Sequence, residues 1–322
     1  MLDKFLSDWQ IVIGAIQFWL NGGNPYGPYP SYRGVMYLPG AFAYPPPALL
    51  LGTPVALLPW WLSGVLMLVL SAWGFELWAR RTSHRLSLPW LILWLPLAQG
   101  LLIGQLTLIA LVGLALAELS YVERRDRLAG ILLALALIKP QTAILPAAYL
   151  LIDALLHRRW TMLAWFGLLS GVLWGGAALI GGVAIYAQWL DGLRNYGPNL
   201  PNRPLLFPPF GPLLALLAII LWWRYGRNDV WGLLLLLNTL IYPLSVVYVA
   251  VGIAFVVIRW RPAGPWYPLA LSWLLPFVLI IARTPDGIAS LTQAIVATGL
   301  LAGVCPLIPW GTLFARWRLP SH

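Results

Sequence analysis

Residues 124–159 read RRDRLAGILLALALIKPQTAILPAAYLLIDALLHRR, with Arg124, Arg125 and Arg127 at one end and Arg158 and Arg159 at the other. Clusters of Lys and Arg beside apolar spans mark the cytoplasmic side of a membrane, and a helix needs about 20 apolar residues to cross the hydrocarbon core. A segment that begins and ends at such clusters must leave and return on one side. Residues 128–156 therefore predict a hairpin of two short or tilted helices with its tip at Lys139-Pro140-Gln141. Proline and polar groups at membrane depth are tolerated where they are buried in protein or line a wet cavity, so the tip points to a site on the outer side.

The same rule extends along the chain. Six basic clusters, Arg80/Arg81/Arg85, Arg124/Arg125/Arg127, Arg158/Arg159, Arg224/Arg227, Arg259/Arg261 and Arg316/Arg318, hold 14 of the 20 Lys and Arg residues. Placed inside, they predict a crossing over 58–79, a hairpin over 87–121 with its tip at Gln99–Gln105, and the hairpin over 128–156. Residues 160–187 then run out, 205–223 return, and 230–258 form a third hairpin with its tip near Tyr242–Pro243. Residues 264–282 and 288–314 close the set. The expectation is an all-α polytopic bundle, one transmembrane domain over 1–322, with about 11 crossings and a cytoplasmic C-terminus. Residues 1–57 lie outside as an amphipathic helix and a first external loop, and 188–204 form a second external loop.

Composition agrees. Hydrophobic residues make up 61% and charged residues 9%, with mean hydropathy +0.80, whereas soluble globules carry about 25% charged residues. The net charge of +10 sits in juxtamembrane pairs that meet lipid headgroups, which argues against nucleic acid as a partner. Cys305 is the single cysteine, and His84, His157 and His322 fall in or beside the basic clusters. No metal or cofactor is expected.

The cations outside the clusters are the candidates for chemistry. Lys139 follows the apolar run Ala134–Ile138 with no acidic neighbour; an ionisable group at such depth is functional by default, or it snorkels to the outer headgroups. Arg203 with Arg194 and Asp191, and Arg283 with Asp286, give the outer loops a cationic bias suited to an anionic ligand such as a phosphate. Over residues 5–20, Ser7, Gln10, Gly14 and Gln17 share one helical stripe, with Trp9, Val12, Ile16 and Leu20 opposite, as in an interfacial helix. Asp8 falls outside the polar stripe. Either Ser7 or Asp8 caps this helix, with Ser7 and Gln10 as a capping box, or Asp8 faces protein as a functional carboxylate. Residues 21–47 form a long Gly-, Pro- and Tyr-rich loop holding Arg33, whose aromatics Tyr26, Tyr29, Tyr32, Tyr37, Phe42 and Tyr44 are expected to pack.

Taken in order, Asp8-Trp9, Gly23-Asn24-Pro25-Tyr26, Ala43-Tyr44-Pro45-Pro46-Pro47 and Pro54-Val55-Ala56-Leu57-Leu58-Pro59 form a pattern. It continues with Ile103-Gly104-Gln105, Leu128-Ala129-Gly130, Ile138-Lys139-Pro140 and Leu240–Ser245 with Tyr248. The pattern resembles glycosyltransferase family 87, membrane enzymes of the C-type (GT-C) fold that use polyprenyl-phosphate sugars. The resemblance covers most of residues 8–260. It implies a plasma-membrane enzyme with an extracytoplasmic active site and Asp8 at the position of the essential carboxylate in the first external loop. Such enzymes carry a transmembrane helix ahead of that carboxylate; only seven residues precede Asp8, so the resemblance implies a sequence shortened at its start.

On that resemblance, a sugar, for which mannose is the family's best-known example, passes with inversion to a lipid or glycan acceptor. Asp8 is the expected general base. Lys139, Arg203, Arg283 and Arg33 are the expected donor-phosphate ligands, and Tyr26, Tyr44, Gln105 and Tyr242 the substrate-positioning residues. Two rival readings are a transporter or flippase of lipid-linked or anionic substrates and a non-catalytic relative. No internal repeat of the kind common in transporters is visible.

Overall fold

A computed structural model describes residues 5–31, 36–83, 87–196, 203–260, 267–278 and 285–305. Helix α1 (Ser7–Leu20) precedes a two-stranded antiparallel ribbon, β1 (Tyr29–Pro30) and β2 (Met36–Tyr37), in which Tyr29 faces Tyr37. Helices α2 (Pro46–Ala56), α3 (Trp60–Ser83), α4 (Leu88–Leu93), α5 (Leu95–Leu102) and α6 (Thr107–Val122) follow, then α7 (Asp126–Ala136) and α8 (Ile144–Leu156). The second half holds α9 (Trp160–Gly181), α10 (Ala184–Asn195), α11 (Gly211–Leu221) with a π-helical turn over Trp222–Gly226, α12 (Val230–Ile241), α13 (Gly252–Trp260), α14 (Tyr267–Val278) and α15 (Pro285–Val304).

The chain is an all-helical bundle whose apolar surface faces outward as well as inward. Helix α9 is 22 residues long, and only 11% of its most apolar window is buried; Leu168, Val172 and Leu179 stand exposed on it. Leu62, Val65, Leu66, Val69, Leu70 and Trp73 do the same on α3. Contiguous apolar surface of this extent suits lipid contact.

Among the described residues three helices, α3, α9 and α15 from Asp286, are long and apolar enough to cross alone. The pair α5 and α6, bent by 114° at residues 103–106, makes a fourth if it is one broken span. Six further apolar segments are shorter, the kind of helix that the hairpin reading uses. The expected loop over 188–204 begins as helix α10, because Ala184–Asn195 places polar and apolar residues at helical spacing.

Packing explains two of the quoted motifs. Helix α7 lies between α6 and α9, and a Cβ on Gly130 would come within 2.4 Å of the Met162 carbonyl oxygen, so Leu128-Ala129-Gly130 is where α7 and α9 touch through backbone. Among the described residues the loop aromatics pack as expected, and Tyr32 lies outside them. Tyr29 sits between Phe18 and Tyr37, and Phe42 between Tyr26 and Tyr44.

The basic clusters also knit helices. Arg259 makes two bonds to Glu118, at 2.9 and 3.0 Å, and one to Asp229 at 2.5 Å, while Asp229 accepts the Trp260 indole N–H at 2.7 Å and caps α12 through the Gly232 N–H at 3.1 Å. Arg159 bonds Asp126 and donates to the Tyr121 carbonyl at 2.7 Å. Ends of α6, α12 and α13 are thereby tied at one pole of the bundle.

Candidate active site

Helix α1 starts without a side-chain cap. The Leu6 N–H donates to the Leu102 carbonyl at 2.8 Å, and the Asp8 and Trp9 N–H groups donate to the Ile103 carbonyl at 2.8 and 3.4 Å. The break between α5 and α6 thus satisfies the N–H groups that a capping box would have served. Gln10 turns its amide to the Phe5 carbonyl at 3.3 Å, so the Ser7–Gln10 box does not form and Asp8 is not a cap. Nor does α1 show a solvated polar stripe: Gln10 and Gly14 are buried, Gln17 donates to the Ala56 carbonyl at 2.9 Å, and Leu20 of the apolar face is exposed. The polar stripe serves contacts between elements.

Gly104 makes this docking possible. Its φ is +74°, and a Cβ there would lie 2.6 Å from Trp9 Cβ, so this backbone crossing requires glycine. The turn then aims Gln105 at Asp8, with Gln105 Nε2 donating to Asp8 Oδ2 at 2.5 Å. Three donors meet the other end of the amide. Gln105 Oε1 accepts from Lys139 Nζ at 2.6 Å, the Tyr44 hydroxyl at 2.7 Å and the Leu106 N–H at 3.1 Å.

Lys139 stands at the break between α7 and α8, as the hairpin reading expects. Its ammonium also donates to Thr107 Oγ1 at 2.7 Å and lies 5.3 Å from the ring centroids of both Tyr44 and Tyr248. Asn238 on α12 anchors this tip, donating to the Gln141 carbonyl at 3.0 Å and accepting the Leu145 N–H at 3.2 Å. A cavity of about 190 Å³ opens here, lined by Asp8, Tyr44, Gln105, Lys139, Tyr196 and Tyr248 among others. The break after α5, the tip after α7 and the 3-10 turn Val247–Val251 before α13 all converge on it.

Burial sets the electrostatics. Desolvation raises the Asp8 carboxyl above its ordinary range, against the lowering pull of Lys139 and of hydrogen bonds from Ser7 and Gln105. Each charged form is sustained by the other.

An apolar groove of about 330 Å³ starts beside this cavity. Trp9, Leu106 and Ile138 line it, each the chain neighbour of Asp8, Gln105 or Lys139, and it follows α6 to Leu116, about 15 Å at the helical rise. Gly52, Ala110 and Gly113 keep it open, and Leu66 and Leu70 at its rim are exposed.

The family model of glycosyltransferase family 87 matches residues 42–283, well over half of the chain. The chain belongs to glycosyltransferase family 87. No curated protein and no solved structure matches it. Membership makes it a membrane glycosyltransferase working between a sugar donor and an acceptor. Tyr44, Gln105 and Lys139 fall inside the matched residues, whereas Asp8 precedes them; Asp8 is joined to the family 87 segment by its N–H on the Ile103 carbonyl and by its carboxylate on Gln105.

The remaining expectations divide. Arg203 is spent elsewhere: it pairs with Asp286 at 2.9 Å, and its carbonyl accepts the Ser245 hydroxyl. Arg194 likewise pairs with Asp191 at 2.7 Å on the surface. Tyr26 is buried against Phe42 and donates to the Tyr44 carbonyl at 3.0 Å, one step behind the cavity. Tyr242 packs with Leu244, Val246 and Tyr248 in a small apolar cluster; of these, Tyr248 lines the cavity and Tyr242 does not. Arg33 and Arg283 lie outside the described residues. Thr107, Tyr196 and Asn238 were not singled out, because a hydroxyl or amide inside an apolar run gives little signal until its partner is known.

Proposed function

We propose that the cavity is the active site of an inverting transfer from a polyprenyl-phosphate sugar, mannose being the first candidate, to a lipid or glycan acceptor. The site then faces the extracytoplasmic side of the plasma membrane in a GT-C-like bundle. The observation that carries this reading is the junction of a polar cavity holding one carboxylate and one ammonium with an apolar groove on the same three chain segments. A lipid phosphate has that two-part chemistry. Its isoprenoid tail suits the groove, entered from the side past Leu66 and Leu70, and its phosphate suits Lys139.

In this mechanism the acceptor hydroxyl attacks the anomeric carbon on the face away from the phosphate. Its proton passes to Asp8 as the new C–O bond forms. The bond from the anomeric carbon to the phosphate oxygen breaks, and its electron pair stays on the lipid phosphate. That leaving group needs positive charge rather than a proton, and Lys139 supplies it in a desolvated setting where such charge counts most. Tyr44, Tyr196 and Tyr248 offer ring faces and hydroxyls to the sugar.

The test is donor choice. Membranes containing the protein are given labelled sugar on polyprenyl phosphate or on a nucleotide. Label should pass from the lipid donor alone, and Lys139→Gln should abolish that passage. Transfer from the nucleotide sugar with the lipid donor inert would overturn the reading.

A further inference from the structure

We propose that Gln105 is the positioning residue of this site: its amide fixes the Asp8 carboxylate for proton transfer and does not bind the sugar. The inference rests on the reading of Asp8 as the base.

The amide has one possible orientation. The Lys139 ammonium and the Leu106 N–H are pure donors, and both meet the same atom as the Tyr44 hydroxyl, so that atom is Oε1. Nε2 must then face Asp8, which as a carboxylate can only accept. With three donors on two lone pairs, Oε1 has no capacity left for a sugar hydroxyl. Gln105 is itself only 5% exposed. The amide thus occupies Asp8 Oδ2 and leaves Oδ1, near only the Ser7 hydroxyl at 3.4 Å among the described hydrogen bonds, as the oxygen that receives a proton. It also relays the positive end of Lys139 to Asp8 through its own dipole.

Gln105→Glu isolates this role. It keeps the shape and keeps an acceptor for Lys139, Tyr44 and Leu106, while replacing the donor aimed at Asp8 with a carboxylate oxygen. The other groups facing Asp8 are Ser7 on its own helix, Lys139 from the tip after α7, Tyr44 from the loop before α2, Tyr196 after α10 and Tyr248 before α13. Lys139 is the one cation among them. In steady-state transfer, kcat should fall at least about tenfold with both KM values within about twofold, and the acidic limb of the pH profile should move up by about one pH unit. A raised KM for the sugar donor with the limb unmoved would show a sugar contact and overturn the proposal.

A readout without turnover covers variants that are inactive. A hydrophobic carbodiimide reacts with protonated carboxyls, and peptide mass spectrometry gives the pH at which half of Asp8 is labelled. That midpoint should be higher in Gln105→Glu than in the wild type, and equal midpoints would overturn the proposal. Should Gln105→Glu not fold, Gln105→Met, which removes both polar atoms at similar volume, should raise the midpoint in the same way. Asp8→Asn separates the two claims. Transfer that survives it removes the base assignment itself, whereas an inactive Asp8→Asn beside an unmoved midpoint in Gln105→Glu removes only the positioning role.

Discussion

Asp8 and Lys139 are joined through one amide, and their charges support each other in a buried setting. Activity requires Asp8 without its proton and Lys139 with its own. Burial raises the first group, so the kcat/KM profile should have an acidic limb above the ordinary carboxylate range, its position belonging to the coupled pair. Lys139→Gln should lose most of the rate at every pH; a variant with the wild-type rate would take Lys139 out of the mechanism. At this scale the sequence was partly legible. Lys139 stood out as a cation in an apolar run, and Gln105 as part of a short polar break. Arg203 and Tyr242 looked equivalent to them, because a partner such as Asp286, 83 residues away, leaves no local mark.

Helices and their breaks tell a similar story. The tips at Lys139–Gln141 and near Tyr242 were readable because Pro and polar residues interrupt apolar runs between basic clusters. The tip expected at Gln99–Gln105 overlaps the turn at residues 103–106, and a second break at Trp94, after which Pro96 opens a new helix, splits the first arm into α4 and α5. Of the two readings of the start of α1 the cap fails, because its donors are satisfied by a distant backbone, which no capping pattern encodes. The basic clusters were read as topology alone, yet Arg259 holds Glu118 and Asp229 in a partly buried network. Arg259→Met leaves two carboxylates uncompensated and should cost about 3 kcal/mol. It should therefore lower the thermal transition in detergent, while exposed Arg194→Met should leave it within error. A similar small shift for both would mean the network contributes nothing beyond orientation.

The whole molecule places its polar chemistry where three interrupted segments meet, with an apolar groove leading off along α6 and lipid-facing side chains on α3 and α9. All-helical membrane architecture was legible from composition and charge spacing, because both follow from the bilayer as solvent. Hydropathy alone does not number the crossings, because short helices paired in a bundle satisfy the same pattern as spans. The family match begins at residue 42, so the catalytic weight given to Asp8 comes from the resemblance at Asp8-Trp9 and from its place in the cavity. Transfer of labelled sugar from a polyprenyl-phosphate donor, measured in membranes holding equal amounts of wild-type protein or Asp8→Asn, tests that claim most directly. The account predicts transfer by the wild type and a loss of at least about a hundredfold in the variant; equal transfer by both would contradict it.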